Sequence, residues 1–318
     1  MLRFILRRLI VAVPTLFLVV TATFFMMHAA PGGPFDRERR LPAEIEAQVR
    51  AHYGLDRPLV VQYGNYLAGV VHGDLGPSLR YRDRTVISIL HDNYQPSLII
   101  GLTSLLIASL VGVTLGVTAA LRHNSPADYG VMSIAILGVC IPTFVTGPLL
   151  VLSFASTLGW LPTAGWQETQ IVLPVFGALP RLANIILPVI VLSLPQIAVI
   201  SRLTRAGMIE VLSSNYIRTA RSRGLSERDV VVKHALRAAL TPLVSYLGPA
   251  FAGVLTGSLI IETVFGLPGL GKFFVTSALQ RDYPVVMGMT ILFATLILSL
   301  NLLADVSYAL LDPRVRLT

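Results

Sequence analysis

Long runs without a single Asp, Glu, Lys or Arg dominate the chain. Six of them are long enough to cross a bilayer, because about 20 apolar helical residues span its hydrocarbon core. They are residues 9–35, 93–121, 129–167, 182–201, 238–261 and 283–304. The run 169–180 is shorter and contains Pro174 and Pro180, which favours an interfacial segment or a loop. The alternation typical of membrane β-barrels is missing, so the pattern predicts an all-α polytopic membrane protein with six transmembrane helices.

Composition excludes a soluble enzyme. Of the 318 residues, 54% are hydrophobic and only 13% are charged, whereas an ordinary soluble domain is about 25% charged. The mean hydropathy is +0.71. The single cysteine, Cys140, excludes a disulfide-stapled scaffold and is interpreted as a small buried hydrophobic residue in the third span.

The distribution of basic residues predicts the orientation. Lys and Arg total 25 against 17 Asp and Glu, a net charge of +8. Six spans place both termini on one side, which carries 14 of the basic residues, while the short loops opposite carry three. Because Lys and Arg concentrate in cytoplasmic loops, both termini are predicted to be cytoplasmic. The net charge then reflects topology, and no nucleic acid partner is expected. The first span is interpreted as an uncleaved helix, since its apolar run is too long for a secretory signal.

These boundaries divide the chain into segments. The transmembrane segments are predicted at 9–30, 96–121, 129–153, 182–201, 238–261 and 283–304. The cytoplasmic segments are predicted at 1–8, 122–128, 202–237 and 305–318. The extracytoplasmic segments are an insert at 31–95 and loops at 154–181 and 262–282. Within the insert, 42–54 is typical of a short amphipathic helix and 73–77 of a turn. The insert is either a cap over the helix ends or a docking surface or gate.

No motif assembles a catalytic centre. Ser258 superficially resembles an intramembrane protease serine, but the sixth span has no histidine to activate it, and a packing role is expected. Residues 266–273 follow the phosphate-loop spacing as far as Lys272, yet Phe273 stands where Ser or Thr must hold Mg²⁺. Pro268 also removes a donor from that segment. We expect a glycine-rich turn after the fifth span, and neither a cofactor nor a metal in this chain.

The spans also lack ionisable residues at mid-depth, since Glu262 and Asp305 lie at helix ends. Carriers driven by protons or sodium usually keep such a group inside the membrane. Transport by this chain would therefore draw its energy from a partner. Backbone carbonyls can bind sodium without a carboxylate, so a secondary carrier or channel remains the alternative. The polar residues Asn184, Gln196 and Asn301 are expected to hydrogen-bond neighbouring helices.

The loop 202–237 contains two predicted helices. The first begins near Asn215, with Ser214 as its cap and Gly224 as its left-handed stop. Its apolar residues share one side, with arginines beside them; they are Tyr216, Ile217 and Ala220, next to Arg218 and Arg221. The second begins at Ser226, with Asp229 completing a capping box. The loop either lies on lipid headgroups or inserts its apolar side into a groove of a cytoplasmic partner.

Residues 215–226 and 234–242 resemble the cytoplasmic signature loop of ABC importer permeases. The family pattern is Glu-Ala-Ala, three residues and Gly, and this chain has Arg218, Thr219, Ala220 and Gly224 at those positions. That departure matches the peptide and nickel branch. Further segments are similar to the permease-B subunit of oligopeptide importers; they are 1–8, 30–35, 53–58, 72–78, 248–253, 261–271 and 312–314.

The resemblance implies a type I ABC importer permease fold and a non-catalytic subunit of the bacterial plasma membrane. It implies transport of oligopeptides, with dipeptides or nickel as alternatives within the family. The implied partners are a second homologous permease, two ABC ATPases that carry ATP and Mg²⁺, an extracytoplasmic peptide-binding protein and membrane lipid. The implied contacts to the ATPase are Asn215, Tyr216, Ile217, Arg218, Thr219, Ala220, Arg221 and Gly224.

Overall fold

The computed structural model describes residues 2–30, 48, 51, 53–81, 83–173 and 177–311. In chain order the helices are α1 (Leu2–Ala29), α2 (Leu59–Val71), α3 (Val86–Leu121), α4 (Pro126–Cys140), α5 (Thr143–Leu150), α6 (Leu182–Leu212), α7 (Asn215–Ser222), α8 (Glu227–Asp229), α9 (Leu236–Ala239), α10 (Thr241–Val264), α11 (Leu270–Gln280) and α12 (Tyr283–Leu311). π-Helical turns follow α5 at Val151–Thr157 and α8 at Val230–Ala235, and a hairpin pairs β1 (Glu168–Leu173) with β2 (Gly177–Pro180). The helix predicted at 42–54 falls almost wholly outside the described residues.

Within the described residues, five helices are long and apolar enough to cross a membrane. They are α1, α3, α6, α10 and α12. The region of the third predicted span qualifies only as a pair, α4 with α5 and its π-helical turn, bent by 99°. Pro142 lies at the bend, and proline both lacks an N–H donor and disfavours helical backbone at the residue before it. The count is therefore five spans, or six if the bent pair is one span.

Helices α3 and α6 extend furthest beyond their predicted limits. Helix α3 begins at Val86, where the Thr85 hydroxyl accepts a hydrogen bond from the Ser88 N–H at 3.2 Å. Helix α6 continues to Leu212, past the predicted end at 201. Charged residues mark where a helix leaves the hydrocarbon core, but they do not stop a helix. The sequence pattern therefore located the apolar part of each span and not the helix ends.

The centre of the bundle is the packing of α3 along α6. Two glycines four residues apart on α3 allow the backbones to approach closely, as in membrane helix pairs with small residues at this spacing. A Cβ atom at Gly116 would lie 2.6 Å from the carbonyl oxygen of Ser201, and one at Gly112 would lie 2.8 Å from the Ile200 side chain. Buried apolar residues of α3, α6 and α10 form the adjoining core.

Helix α12 packs against α10 on one side and α1 on the other. A Cβ atom at Gly248 of α10 would lie 2.7 Å from Ala304, and Arg8 pairs with Asp305 at 2.7 Å. The outer surface of α1 remains apolar, with Leu18 67% and Met26 72% exposed. Such a surface suits contact with lipid.

Two predictions need correction. Within the run 169–180, expected to be interfacial or a loop, the described residues belong to an antiparallel hairpin of Glu168–Leu173 with Gly177–Pro180, in which Gly177 has a φ of +62° and Pro180 ends the second strand. Proline at a strand end removes no ladder donor that the hairpin needs. Cys140, expected to be buried, is exposed because it ends α4 at the bend.

Candidate coupling site

The first predicted helix of the 202–237 loop is confirmed. Helix α7 spans Asn215–Ser222, two residues after α6 ends, and Gly224 follows with a φ of +79°. The predicted cap is wrong, however. The Ser214 hydroxyl receives no hydrogen bond from the helix and instead donates one to the Val211 carbonyl at 2.6 Å. The Ser214 side chain is therefore bound to the last turn of α6 and does not cap α7.

The apolar side of α7 faces this chain's own bundle. Ile217 is fully buried and Ala220 is 8% exposed, and both pack with Met208 of α6 and with residues of the segment 230–239. Two of the three apolar residues expected on the partner-facing side, Ile217 and Ala220, are therefore covered by this chain, whereas Tyr216 is exposed. The reason is that the chain folds back over α7 and supplies the apolar surface itself.

The remaining side of α7 is exposed and mostly polar. Its residues are Asn215, Tyr216, Arg218, Thr219 and Arg221, and Tyr216 is 48% exposed. Five of the eight predicted coupling residues are therefore exposed, Ile217 and Ala220 are buried, and Gly224 forms the turn. This outward side is the surface available to another protein.

An ion pair fixes the turn after α7. The Arg221 guanidinium donates to both Glu227 carboxylate oxygens, at 2.6 and 3.2 Å, and so holds the pKa of Glu227 below its ordinary value. The two groups bridge Gly224 and connect α7 to α8. A mainly exposed pair of this kind contributes little free energy, but its two-point geometry orients the turn.

The second predicted helix starts as expected. The Ser226 hydroxyl accepts the Asp229 N–H at 3.2 Å, and the Asp229 carboxylate contacts Lys233 at 2.6 Å. Hydrogen bonds from Lys233 and Ser226 lower the pKa of Asp229. The helix then passes through the π-helical turn into α9, which lies so close to α6 that a Cβ atom at Gly207 would be 2.6 Å from the Ala239 carbonyl.

A cleft of about 770 Å³ opens beside α7. The end of α6, the start of α7 and the segment from α9 to the start of α10 form its walls. Glu210, His234 and Arg237 bring ionisable groups to it. The cleft adjoins the outward side of α7 at Tyr216, and we name the two together the α7 surface.

A buried ion pair lies near this end of the bundle. Asp128, at the start of α4, accepts hydrogen bonds at 2.6 Å from both Nε and Nη2 of Arg205 on α6, and a third from the Asn124 N–H. The Asp128 side chain is 1% exposed and that of Arg205 is 25% exposed. The sequence offered no signal for this pair, because Arg205 is one of many basic residues between positions 202 and 237.

At the opposite end of the bundle, Glu262 of α10 is completely buried. Its carboxylate accepts hydrogen bonds from the hydroxyls of Ser97 at 2.6 Å and Ser258 at 2.8 Å, and from the Lys272 N–H at 3.1 Å. It lies at the amino end of α11, where backbone N–H groups attract an anion. Glu262 thus joins α3, α10 and α11.

This arrangement explains the segment that resembled a phosphate loop. The chain's own Glu262 carboxylate occupies the space that a phosphate would fill, and a Cβ atom at Gly269 would lie 2.3 Å from its Cδ. Residues 266–269 form the predicted turn between α10 and α11, and residues 270–273 begin α11. Ser258 is buried, as predicted, but its hydroxyl binds Glu262 and does more than fill space.

Of the polar residues expected to hydrogen-bond neighbouring helices, Gln196 does so, whereas Asn184 bonds a loop residue. Asn184 donates to the Gly165 carbonyl at 3.1 Å, and Gln196 accepts from the Tyr246 hydroxyl at 2.6 Å. The Asn301 side-chain oxygen has no hydrogen-bond partner within the part of the chain that the structure describes. Over the same residues, no group of three or more His, Cys, Asp or Glu side chains could hold a metal ion.

An apolar bundle that holds a short polar-faced helix at one end has the architecture of a membrane transport subunit driven by another protein. The chain belongs to the family of binding-protein-dependent transport system inner membrane components, whose family model matches residues 112–317. A second model, for the N-terminal part of such components, matches residues 1–81. The chain is thus a non-catalytic, multi-pass permease subunit of an ABC importer in the bacterial inner membrane, which works with an ATPase and a substrate-binding protein.

Full-length relatives agree with this assignment. The chain is 49% identical over 316 residues to the oligopeptide transport system permease protein OppB of Salmonella typhimurium, covering 99% of this chain and 100% of the relative. It is 40% identical to the dipeptide transport system permease protein DppB of Bacillus subtilis, covering 100% of this chain and 99% of the relative. A solved structure of the MetNI methionine ABC transporter shares the fold, with a TM-score of 0.56 at 17% identity, covering 71% of this chain and 97% of that chain.

Proposed function

We propose that this chain forms half of the translocation path of an oligopeptide importer, beside a second homologous permease. Two ATPases bind its cytoplasmic side, and a peptide-binding protein delivers substrate from outside. The observation that carries the substrate assignment is the 46–49% identity to oligopeptide permeases over the full length, against 39–40% to dipeptide permeases. Dipeptides are the second candidate, and nickel, raised by the sequence, is a third.

The α7 surface is the proposed contact to the ATPase. Exposed residues at its centre are Tyr216, Arg218 and Thr219, and they lie on a helix that the bundle holds by its opposite side. A helix packed in this way can transmit a displacement, because movement of α7 by a bound ATPase must also move the buried cluster around Ile217. That cluster includes Ala120 of α3 and Met208 of α6.

The displacement would reach the spans through closely packed elements. Because α3 and α6 are in close contact at Gly112 and Gly116, the two helices cannot slide past each other gradually. The ion pair of Asp128 with Arg205 joins α4 to the same unit. Packed cores of this kind have discrete arrangements and transmit strain. We infer that closure of the ATPases rocks α3, α4 and α6 together and changes the side on which the path opens.

This mechanism requires a defined topology. We propose that the bent α4–α5 pair is one span, which gives six, and that both termini and the α7 surface are cytoplasmic. The insert at 31–95 and the turn around Glu262 then lie outside, where the peptide-binding protein arrives. Support comes from the excess of basic residues on the side of the termini.

The substrate and the partners can be tested together. The assembly, purified from native membranes through a tag on this chain, should contain one further permease, ATPase subunits and a binding protein. Uptake of a labelled oligopeptide by cells relying on this assembly should be competed by unlabelled oligopeptides more strongly than by dipeptides or Ni²⁺. Stronger competition by dipeptides would transfer the assignment to the second candidate, and uptake of Ni²⁺ without any uptake of the labelled oligopeptide would refute peptide transport.

A further inference from the structure

Helix α2 of the insert is apolar, and only one side of it packs against the rest of the chain. No Asp, Glu, Lys or Arg occurs between Arg57 and Asp74, and none of the residues of α2 is buried. Val60 is 76% exposed and Val71 is 83% exposed. With 13 residues, the helix is about 20 Å long and cannot cross a hydrocarbon core about 30 Å thick.

The contacts of α2 with α1 indicate how deep α2 lies in the membrane. If the hydrocarbon core begins beside Arg8, about 20 residues of helix cross it, and the opposite boundary falls near His28. Yet the Tyr63 hydroxyl of α2 lies 2.6 Å from the Thr21 hydroxyl, and the Tyr63 ring is centred 5.2 Å from Phe24 and 5.4 Å from Phe25. These α1 residues precede that boundary by several positions. Helix α2 therefore lies beside the membrane-embedded part of α1.

Backbone hydrogen bonds continue at both ends of α2, which reduces the number of polar groups left to hydrocarbon. At its start, the N–H groups of Val61 and Gln62 donate to the Pro58 carbonyl at 2.8 and 3.1 Å. At its end, the N–H groups of residues 72–74 donate to carbonyls of residues 68–70 at distances from 2.8 to 3.2 Å, with the Asp74 N–H at 2.8 Å from the Gly69 carbonyl. The Gln62 side chain turns back to the Arg57 carbonyl at 2.7 Å.

The exposed side of α2 is continuous with a surface that suits lipid. Phe25 touches Tyr63 and is nevertheless 44% exposed, and Met26 beside it is 72% exposed. A helix without charged residues at this depth, bordered by apolar residues of α1, suits contact with lipid acyl chains. We propose that α2 is embedded in the outer leaflet of the membrane, with Val60 and Val71 against acyl chains, and that it anchors the insert beside α1.

Spin labelling of the full assembly in lipid nanodiscs tests this proposal. Cys140 is replaced by serine, and a nitroxide is attached to a cysteine at Val60 or, in a second variant, at Val71. Collisions with oxygen report hydrocarbon, and collisions with a water-soluble nickel chelate report water. Labels at Leu18, exposed on α1, and at Asp56, exposed just before α2, provide the lipid and water references.

We expect both α2 labels to match Leu18, with frequent oxygen collisions and few nickel collisions. Nickel collisions as frequent as at Asp56 would place α2 in water and overturn the proposal. Low collision rates with both reagents would show that a protein partner covers α2, which would also overturn it. Because Val60 and Val71 lie near opposite ends of the helix, either variant gives a decisive result if the other fails to assemble.

Discussion

At the scale of single residues, burial decides which ion pairs matter. Asp128–Arg205 and Arg221–Glu227 both have two-point geometry, but the Asp128 side chain is 1% exposed and that of Glu227 is 59% exposed. Loss of one partner from a buried pair leaves an uncompensated charge, whereas mainly exposed pairs contribute little.

Asp128→Asn should therefore destabilise the assembly by about 3 kcal/mol, since Arg205 keeps its charge without its partner. Thermal unfolding of the purified assembly in detergent measures this loss. Glu227→Gln is the matched control and should leave the melting temperature almost unchanged. Equal effects of the two substitutions would show that burial of Asp128 does not govern this pair.

The sequence could not reveal these residues. Asp128 and Arg205 are 77 positions apart, and Ser97 and Glu262 are 165 apart. A single sequence shows that a charge lies near the end of a span, but only the packing of helices shows which charge is buried and what satisfies it. For this reason the sequence predicts only that Glu262 lies near a helix end, whereas the structure shows that it is also the centre of a hydrogen-bond network.

At the scale of elements, the turn between α10 and α11 depends on the absence of side chains. Gly269→Ala should displace the Glu262 carboxylate and destabilise the protein by about 1–3 kcal/mol, because overpacking forces neighbours to move. Peptide uptake and thermal stability measure the effect. Gly253→Ala on α10 is the control, since its Cβ would meet no atom within 4 Å. Full uptake and stability in the Gly269 variant would contradict the role given to this turn.

Substitutions on the two sides of α7 distinguish its packing against the bundle from its proposed docking to the ATPase. Ile217→Ala should weaken the packing of α7 against the bundle, since truncation of a fully buried isoleucine lowers the free energy of unfolding by about 2–5 kcal/mol. Arg218→Glu changes an exposed side chain and should leave stability intact while ATPase subunits dissociate and uptake stops. Co-purification of ATPase with each variant, beside thermal unfolding, distinguishes the two effects. Normal ATPase binding and uptake by the Arg218 variant would remove that residue from the docking surface.

The same helix shows how far an element can be predicted. Its start, its glycine stop and its apolar side followed from local pattern alone. Whether that side faces a partner or the chain's own bundle depends on residues 230–239, which fold over it. Amphipathicity identifies a side that needs burial but does not identify what covers it.

At the scale of the whole molecule, topology is the first point to test. A cysteine at His123, in the predicted cytoplasmic loop 122–128 and away from the α7 surface, should react with a membrane-impermeant maleimide in the Cys140→Ser background only after intact cells are permeabilised. A cysteine at Asp56 should react in intact cells, because the insert is outside. Both positions are exposed, so accessibility within the fold does not bias the comparison. The reverse pattern of labelling would invert the orientation.

The overall architecture was largely predictable, because the bilayer limits a chain to apolar helices and imposes their length. The apolar runs located α1, α3, α6, α10 and α12. The sharp bend after α4 was not predicted, although Pro142 marks it, since proline occurs in many spans that stay straight enough to cross. Helix ends outside the membrane also lacked a signal, as α3 and α6 show.

Transport by reconstituted protein tests the central claim most directly. Proteoliposomes that contain this chain with its partner permease, the ATPases and the peptide-binding protein should accumulate a labelled oligopeptide only when ATP and Mg²⁺ reach the ATPases. Proteoliposomes that contain this chain alone should accumulate none, with or without a proton or sodium gradient. Peptide accumulation by the chain alone, driven by such a gradient, would contradict the account and establish a secondary carrier.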